Sequence, residues 1–107
     1  MSPVKNIDAT ELQNMQRSGP LVLVDVRTAP EVAQGMIPGA KHVPLHLLPE
    51  RIGELDPAAT TVIYCQSGGR SAQACAWLEG RGFGSVMNLQ GGIIGWVRAG
   101  NPVAAPG

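Results

Sequence analysis

Apolar runs along the chain predict strands that alternate with helices. Residues 21–26 are almost all apolar and too few for a stable helix, which is typical of a strand buried on both faces. Residues 61–64 and 85–89 form similar runs and predict two further strands. Residues 42–43 predict a short strand, which ends because Pro44 cannot donate a backbone hydrogen bond.

The segments between these strands have helical patterns. Asp8 and Glu11 have the spacing of a capping box, which predicts a helix from residue 9 to about Gly19. The other predicted helical segments are 29–34, 45–55 (divided by Pro49 into two short turns), 72–80 and 93–100. Alternating strands and helices predict an α/β fold with a mostly parallel sheet.

Length and composition limit the number of domains and the classes of partner that the protein is expected to have. The 107 residues are 44% hydrophobic, which predicts a single domain over 1–107 with its core at about 5–100 and a flexible tail at 101–107. Eight basic and eight acidic residues cancel, so no nucleic-acid partner is expected. No apolar run approaches the roughly 20 residues of a membrane span. Since the N-terminus also lacks the apolar core of a signal peptide, we expect a cytoplasmic protein with no membrane partner.

The clearest chemical signal follows the strand at 61–64. Cys65 stands at the carboxyl end of that strand, where ligands of parallel α/β sheets bind. The residues after it form a glycine-rich loop that opens into a helix, so backbone N–H groups and the helix dipole favour an anion. A thiol in such a field ionises more easily, which predicts Cys65 as a catalytic nucleophile. The predicted substrate-binding residues are Gln66, Ser67, Gly68, Gly69 and Arg70.

The second cysteine is not expected to pair with the first. Cys75 lies about six residues into the next helix, a rise of roughly 9 Å, whereas a disulfide needs Cα atoms within about 7 Å. Cys75 is therefore interpreted as a core residue, with a resolving or regulatory thiol as the alternative. His42 and His46 have no zinc-like spacing to the cysteines, so no metal site is predicted.

Three segments, in this order, resemble the motifs of the single-domain rhodanese family of sulfurtransferases. They are Leu23-Val24-Asp25-Val26-Arg27 with Glu31 and Gly35-Met36-Ile37-Pro38-Gly39-Ala40; the loop from Cys65 to Arg70; and Leu89-Gln90-Gly91-Gly92 with Trp96, Gly100 and Pro102. The resemblance implies a three-layer α/β domain, with about five mostly parallel strands and helices on both faces. Within it, the charged residues Asp25, Arg27 and Glu31 are interpreted as a structural ion network under the site.

The resemblance implies a sulfurtransferase without a metal or organic cofactor. A persulfide on Cys65 would carry a sulfane sulfur from thiosulfate or a protein persulfide to cyanide or a thiol. Four residues separate Cys65 from Arg70, as in rhodaneses, whereas related phosphatases have five, which disfavours phosphatase or arsenate-reductase activity. Many thiosulfate-using members have a basic residue where this chain has Gln66, so the donor stays open.

Two alternatives use the same domain differently. A rhodanese-like module can dock partners or sense redox state with little turnover, although such modules often lack the loop cysteine that is present here. A persulfide relay would pass sulfur to a specific partner, a sulfur-relay protein. Arg70 is interpreted as an anion-binding or loop-bracing residue, with a surface salt bridge as the plainer alternative.

Overall fold

The structure, a computed structural model, describes residues 4–106 and contains one five-stranded sheet. The strands are β1 (Lys5–Ile7), β2 (Val22–Asp25), β3 (Lys41–His42), β4 (Thr61–Tyr64) and β5 (Val86–Leu89). They lie in the order β1-β5-β4-β2-β3 and every pairing is parallel. The neighbouring strands β2 and β4 therefore end at the same edge, with Asp25 paired to Tyr64.

Helices cover both faces of this sheet. They are α1 (Ala9–Ser18), α2 (Ala29–Ala33), α3 (Leu48–Arg51), α4 (Gly69–Glu79) and α5 (Gly92–Arg98). One apolar core holds Leu48 of α3 and Leu78 of α4 against the sheet, and a second holds Leu12 of α1 and Trp96 of α5. This arrangement confirms the predicted three-layer α/β fold.

The largest difference from the sequence prediction is β1, which the sequence did not place. It has only three residues, of which Ile7 alone is buried, so its local pattern is weak. Its register is set by β5, where Asn6 lies opposite Asn88. The strand therefore forms because a distant partner is present, not because of its own periodicity.

Two boundary predictions are corrected. Pro49 does not divide the segment 45–55, because it lies in the first turn of α3, where its missing N–H has no helical partner to lose. Two 3₁₀ turns, Leu45–Leu47 and Ile52–Glu54, flank α3. The helix predicted to begin at residue 72 begins at Gly69, so the last loop residue, Arg70, belongs to its first turn.

The end of the chain makes specific contacts with the domain. Trp96 Nε1 donates to the Pro102 carbonyl at 2.7 Å, and Met36 and Ala104 exchange two backbone hydrogen bonds of 2.8 Å. The flexible tail at 101–107 stays a prediction, although Pro102 and Ala104 within it contact the domain. The predicted domain covers residues 1–107, of which residues 1–3 and 107 lie outside the described residues. Within 4–106, no helix has the length and apolar character needed to cross a membrane.

Candidate active site

Cys65 lies at the carboxyl end of β4, at the start of the Cys65 loop (residues 65–70). Its side chain is buried, and the N–H of Gly68 donates to its Sγ at 3.1 Å. Gly68 has a φ of 117°, a conformation that side chains rarely adopt, and it caps α4. The chain thus turns back on the sulfur within three residues, as the glycine-rich sequence predicted.

Donors around the sulfur favour its ionised form. Burial alone would raise the pKa of the Cys65 thiol. The hydroxyl and N–H of Ser71, together with the N–H groups of Gly68 and Ser67, outweigh burial and lower that pKa. The Ser71 Oγ lies 3.3 Å from Sγ. This geometry suits a nucleophile, and Ser71 joins the site although the sequence placed it outside the substrate-binding set.

The beginning of α5 holds the Cys65 loop from the other side. The N–H of Ile93 donates to the Cys65 carbonyl at 3.0 Å, and that of Ile94 to the Gln66 carbonyl at 3.2 Å. At Gly92, φ is +58°, and a Cβ would lie 2.4 Å from the Gln66 carbonyl oxygen. Only glycine fits here, which explains the second glycine of the pair in the third sequence segment.

Arg27 and Asp25 form a buried ion pair beneath the Cys65 loop. The Arg27 Nη2 lies 2.8 Å from Asp25 Oδ2 and donates to the Gly35 carbonyl at 2.7 Å. Although burial would lower the pKa of Arg27, the hydrogen bonds and charge of Asp25 raise it. Arg27 Nη1 also donates to Gln66 Oε1 at 3.3 Å, so the uncharged Gln66 side chain is anchored to an arginine that is already paired.

Arg70 is paired with Glu31 in a bidentate contact. Both nitrogen–oxygen distances are 2.7 Å. The hydrogen bonds from Arg70 lower the pKa of Glu31 to about 2, and the contact with Glu31 raises the pKa of Arg70. The predicted network of Asp25, Arg27 and Glu31 therefore exists as two pairs, of which the second includes Arg70 and braces the loop.

A cavity of about 630 Å³ lies beside the Cys65 loop, between α2 and α5. Gln66 and Glu31 line its polar side. Ile94, Val97 and Val103 line its apolar side, and Val97 and Val103 are 50% and 44% exposed. This cavity offers an approaching molecule apolar contacts next to the residue that follows the cysteine.

Cys75 is buried and His42 contacts the backbone near the site. Cys75 is buried on α4, as predicted, and burial raises the pKa of its thiol to about 12. His42 Nε2 lies 2.7 Å from the Arg27 carbonyl oxygen. In the part of the chain that the structure describes, no three His, Cys, Asp or Glu side chains are grouped as metal ligands would be.

Known proteins share both the sequence and the fold. The family model described as Rhodanese-like domain matches residues 8–99. A sulfurtransferase of Allochromatium vinosum is 50% identical over 104 residues, covering 96% of this chain and 97% of that protein. A thiosulfate sulfurtransferase of Ectopseudomonas mendocina is 35% identical over 96 residues, covering 90% and 87%. The structure of a rhodanese-like domain protein from Staphylococcus aureus superimposes with a TM-score of 0.86 at 33% identity, covering 97% of this chain and 100% of that one.

The family model spans most of the chain and includes the first two segments of the sequence resemblance and the third as far as Trp96. The fold and the order of the segments agree with this match. The chain therefore belongs to the rhodanese-like domain family.

Proposed function

We propose that this protein is a sulfurtransferase that moves a sulfane sulfur from thiosulfate or a persulfide to a thiol or cyanide, through a persulfide on Cys65. The observation that carries the proposal is the buried Cys65 sulfur, with N–H and O–H donors at 3.1 Å and 3.3 Å that lower its pKa. Relatives named sulfurtransferase support transferase activity in general.

The first step loads the enzyme. The Cys65 thiolate attacks the outer sulfur of the donor, a new S–S bond forms, and the donor's own bond to that sulfur breaks. The donor leaves with the electron pair as sulfite or a thiolate. Cys65 then carries a persulfide whose terminal sulfur is negative, and the N–H groups that converge on the Cys65 loop stabilise this charge.

The second step returns the enzyme to its resting form. An acceptor thiolate, or cyanide, attacks the terminal sulfur and takes it as a new persulfide or as thiocyanate. Cys65 leaves with the electron pair as a thiolate, and the Gly68 N–H and Ser71 hydroxyl again stabilise that charge. The same donors therefore serve both steps.

The charges at the loop favour persulfide donors over thiosulfate. Arg27 and Arg70 are both paired with carboxylates, and Gln66 has no charge. A dianion such as thiosulfate would therefore meet backbone dipoles at the Cys65 loop, because the charges of Arg27 and Arg70 are already engaged by carboxylates. A persulfide donor carries less charge and has less need of one.

The acceptor is proposed to be a thiol with apolar atoms around it, such as a thiol on a sulfur-relay protein. The exposed side chains of Val97 and Val103 support this class, since they lie in the cavity that Gln66 lines. A small polar acceptor such as cyanide would use the sulfur chemistry without these contacts.

Intact-mass measurement tests the proposal. The protein is incubated with thiosulfate and, separately, with cysteine persulfide, beside Cys65→Ser and the matched Cys75→Ser. We expect a gain of one sulfur atom in the wild type and in Cys75→Ser, removed by cyanide, and no gain in Cys65→Ser. No gain with either donor would replace the proposal with a docking or redox-sensing module.

A further inference from the structure

A chain of polar side chains runs inward from the Cys65 sulfur to the edge of the sheet. Ser71 on α4 and Asn88 on β5 are both buried, at 0% and 3% exposure. Ser71 Oγ lies 3.3 Å from Cys65 Sγ and 2.5 Å from Asn88 Oδ1, and Asn88 Nδ2 donates to Asn6 Oδ1 on β1 at 3.0 Å. A buried asparagine in a strand is costly unless its polar atoms are bonded, and here both amide atoms of Asn88 have partners.

The orientation of the Asn88 amide is fixed by its neighbours. Its Nδ2 faces the Gly68 carbonyl at 3.3 Å, an atom that can only accept. Turning the amide over would place two acceptors against each other. The Oδ1 atom therefore faces Ser71 and is an acceptor for its hydroxyl.

Ser71 has one hydroxyl proton and three acceptors within reach. They are Asn88 Oδ1 at 2.5 Å, the Gly68 carbonyl at 3.2 Å and Cys65 Sγ at 3.3 Å. When the sulfur is ionised, a charge-assisted bond draws the proton to Sγ, and Asn88 Oδ1 is then left buried without it. When Sγ is a thiol or carries a persulfide, the proton can return to Asn88.

We propose that Asn88 is a positioning residue that acts through Ser71: by accepting the hydroxyl proton, it favours the states in which the Cys65 sulfur is uncharged. Those states are the thiol and the persulfide, in which Cys65 Sγ itself carries no charge because the charge of the persulfide lies on its terminal sulfur. Asn88 therefore disfavours the thiolate and stabilises the loaded form. The inference rests on the proposed role of Cys65 as the nucleophile.

The polar chain contains no other group that titrates near neutral pH. Ser71, Asn88 and Asn6 are uncharged at all working pH values. The charged groups around the loop are the Asp25–Arg27 pair at the end of β2 and the Arg70–Glu31 pair between α4 and α2, which the variants below leave in place. Cys75, also on α4, has a thiol pKa raised to about 12 by burial and stays neutral.

The test is the pH profile of Cys65 alkylation by iodoacetamide, measured in a Cys75→Ser background. Asn88→Leu keeps a similar volume and removes the acceptor, so the profile should move to lower pH, with about threefold faster alkylation at pH 6. Asn88→Asp keeps an acceptor and adds a charge, so it should move the profile to higher pH. Ser71→Ala should also move it to higher pH, because the donor is lost.

A double variant separates positioning from a merely structural effect. If Asn88 acts through Ser71, Asn88→Leu should produce no further shift in the Ser71→Ala background. The same shift in both backgrounds, or a shift to higher pH in Asn88→Leu alone, would overturn the proposal. If the leucine variant does not fold, Asn88→Asp decides alone: a profile that is unchanged or moves to lower pH would overturn it.

This experiment is independent of turnover. Alkylation reports the ionisation of Cys65 whether or not the protein accepts a sulfur from any donor. A protein that forms no persulfide but shows the expected shifts would disprove the proposed function and support the role of Asn88. A protein that forms the persulfide but shows no shift would support the proposed function and disprove the role of Asn88.

Discussion

The two cysteines lie ten positions apart along the chain and in one hydrophobic core, yet their thiols differ in chemistry. Cys65 is 2% exposed and Cys75 is 0% exposed, so burial acts on both. The pKa of the Cys65 thiol is nevertheless lowered, and burial raises that of Cys75 to about 12. Exposure alone therefore does not decide which cysteine reacts.

The difference lies in the backbone around each sulfur. Cys75 lies in the middle of α4, where each backbone N–H bonds to the carbonyl four residues earlier and none is free for a side chain. Cys65 precedes the first turn of the same helix, where N–H groups have no helical partner. Those N–H groups, with the Ser71 hydroxyl, bond to sulfur instead. Position at a helix start thus lowers the pKa of a thiol that burial alone would raise.

Chemical labelling of both thiols tests this contrast directly. In the native protein at pH 7, iodoacetamide should label Cys65 and leave Cys75 unlabelled, since only about one Cys75 thiol in 10⁵ is ionised at a pKa of about 12. Mass spectrometry of peptides after timed labelling measures both rates. Cys65→Ser should remove the fast label and Cys75→Ser should keep it. Rapid labelling of Cys75 before unfolding would contradict the contrast.

The sequence alone allowed prediction of those parts of the site whose residues are adjacent in the chain. Cys65, the glycines and the helix that follows are neighbours in the chain, so local rules on strands, glycine and helix starts predicted the loop. Apart from β1, the order of strands and helices was equally visible, because strands such as β2 and β4 are nearly continuous apolar runs. Those predictions needed no knowledge of distant contacts.

The parts that were missed depend on long-range pairing. Glu31 and Arg70 are 39 positions apart; an ion network was predicted for the first and anion binding or loop bracing for the second, but neither shows locally that the other is its partner. Asn88 is the one polar side chain in the otherwise apolar strand β5, a signal that a site was near, but the sequence could not show that Ser71 would face it. Local patterns predict elements, and packing decides which side chains meet.

A second test removes the support that α5 gives to the Cys65 loop. Gly92→Ala places a Cβ 2.4 Å from the Gln66 carbonyl oxygen at a φ of +58°, so we expect a loss of about 3 kcal/mol in the free energy of unfolding. Gly95→Ala in the same helix is the matched control. Its Cβ would meet its nearest atom at 3.8 Å, so stability should stay within about 1 kcal/mol of wild type. Urea denaturation compares them, and equal losses would show that the close approach is not what matters.

A third test releases Arg70 and asks whether the donor preference changes. Glu31→Gln removes the paired charge but keeps an oxygen that can accept from the Thr28 N–H, as Glu31 does at 3.1 Å. We expect sulfur transfer from thiosulfate to rise about threefold relative to transfer from a persulfide, because Arg70 can then face an anion. Glu54→Gln removes the same charge from a pair with Arg51 and Lys41, outside the cavity lining, and should leave the ratio unchanged. An unchanged ratio in both variants would show that Arg70 only braces the loop.

A fourth test concerns the stability of that brace at low pH. Because the folded-state pKa of Glu31 is lowered to about 2, the pair with Arg70 stabilises the fold fully above the ordinary glutamate pKa of about 4.3, and this contribution is lost as pH falls towards 2. The side chains are 29% and 37% exposed, so solvent screening reduces the effect to about 1 kcal/mol. The difference in unfolding free energy between wild type and Glu31→Gln should therefore be present at pH 7 and shrink by pH 3. A difference that stays the same from pH 7 to pH 3 would contradict the ion pair as its source, because the part of the stability that comes from the Glu31 carboxylate charge must be lost as that carboxylate is protonated.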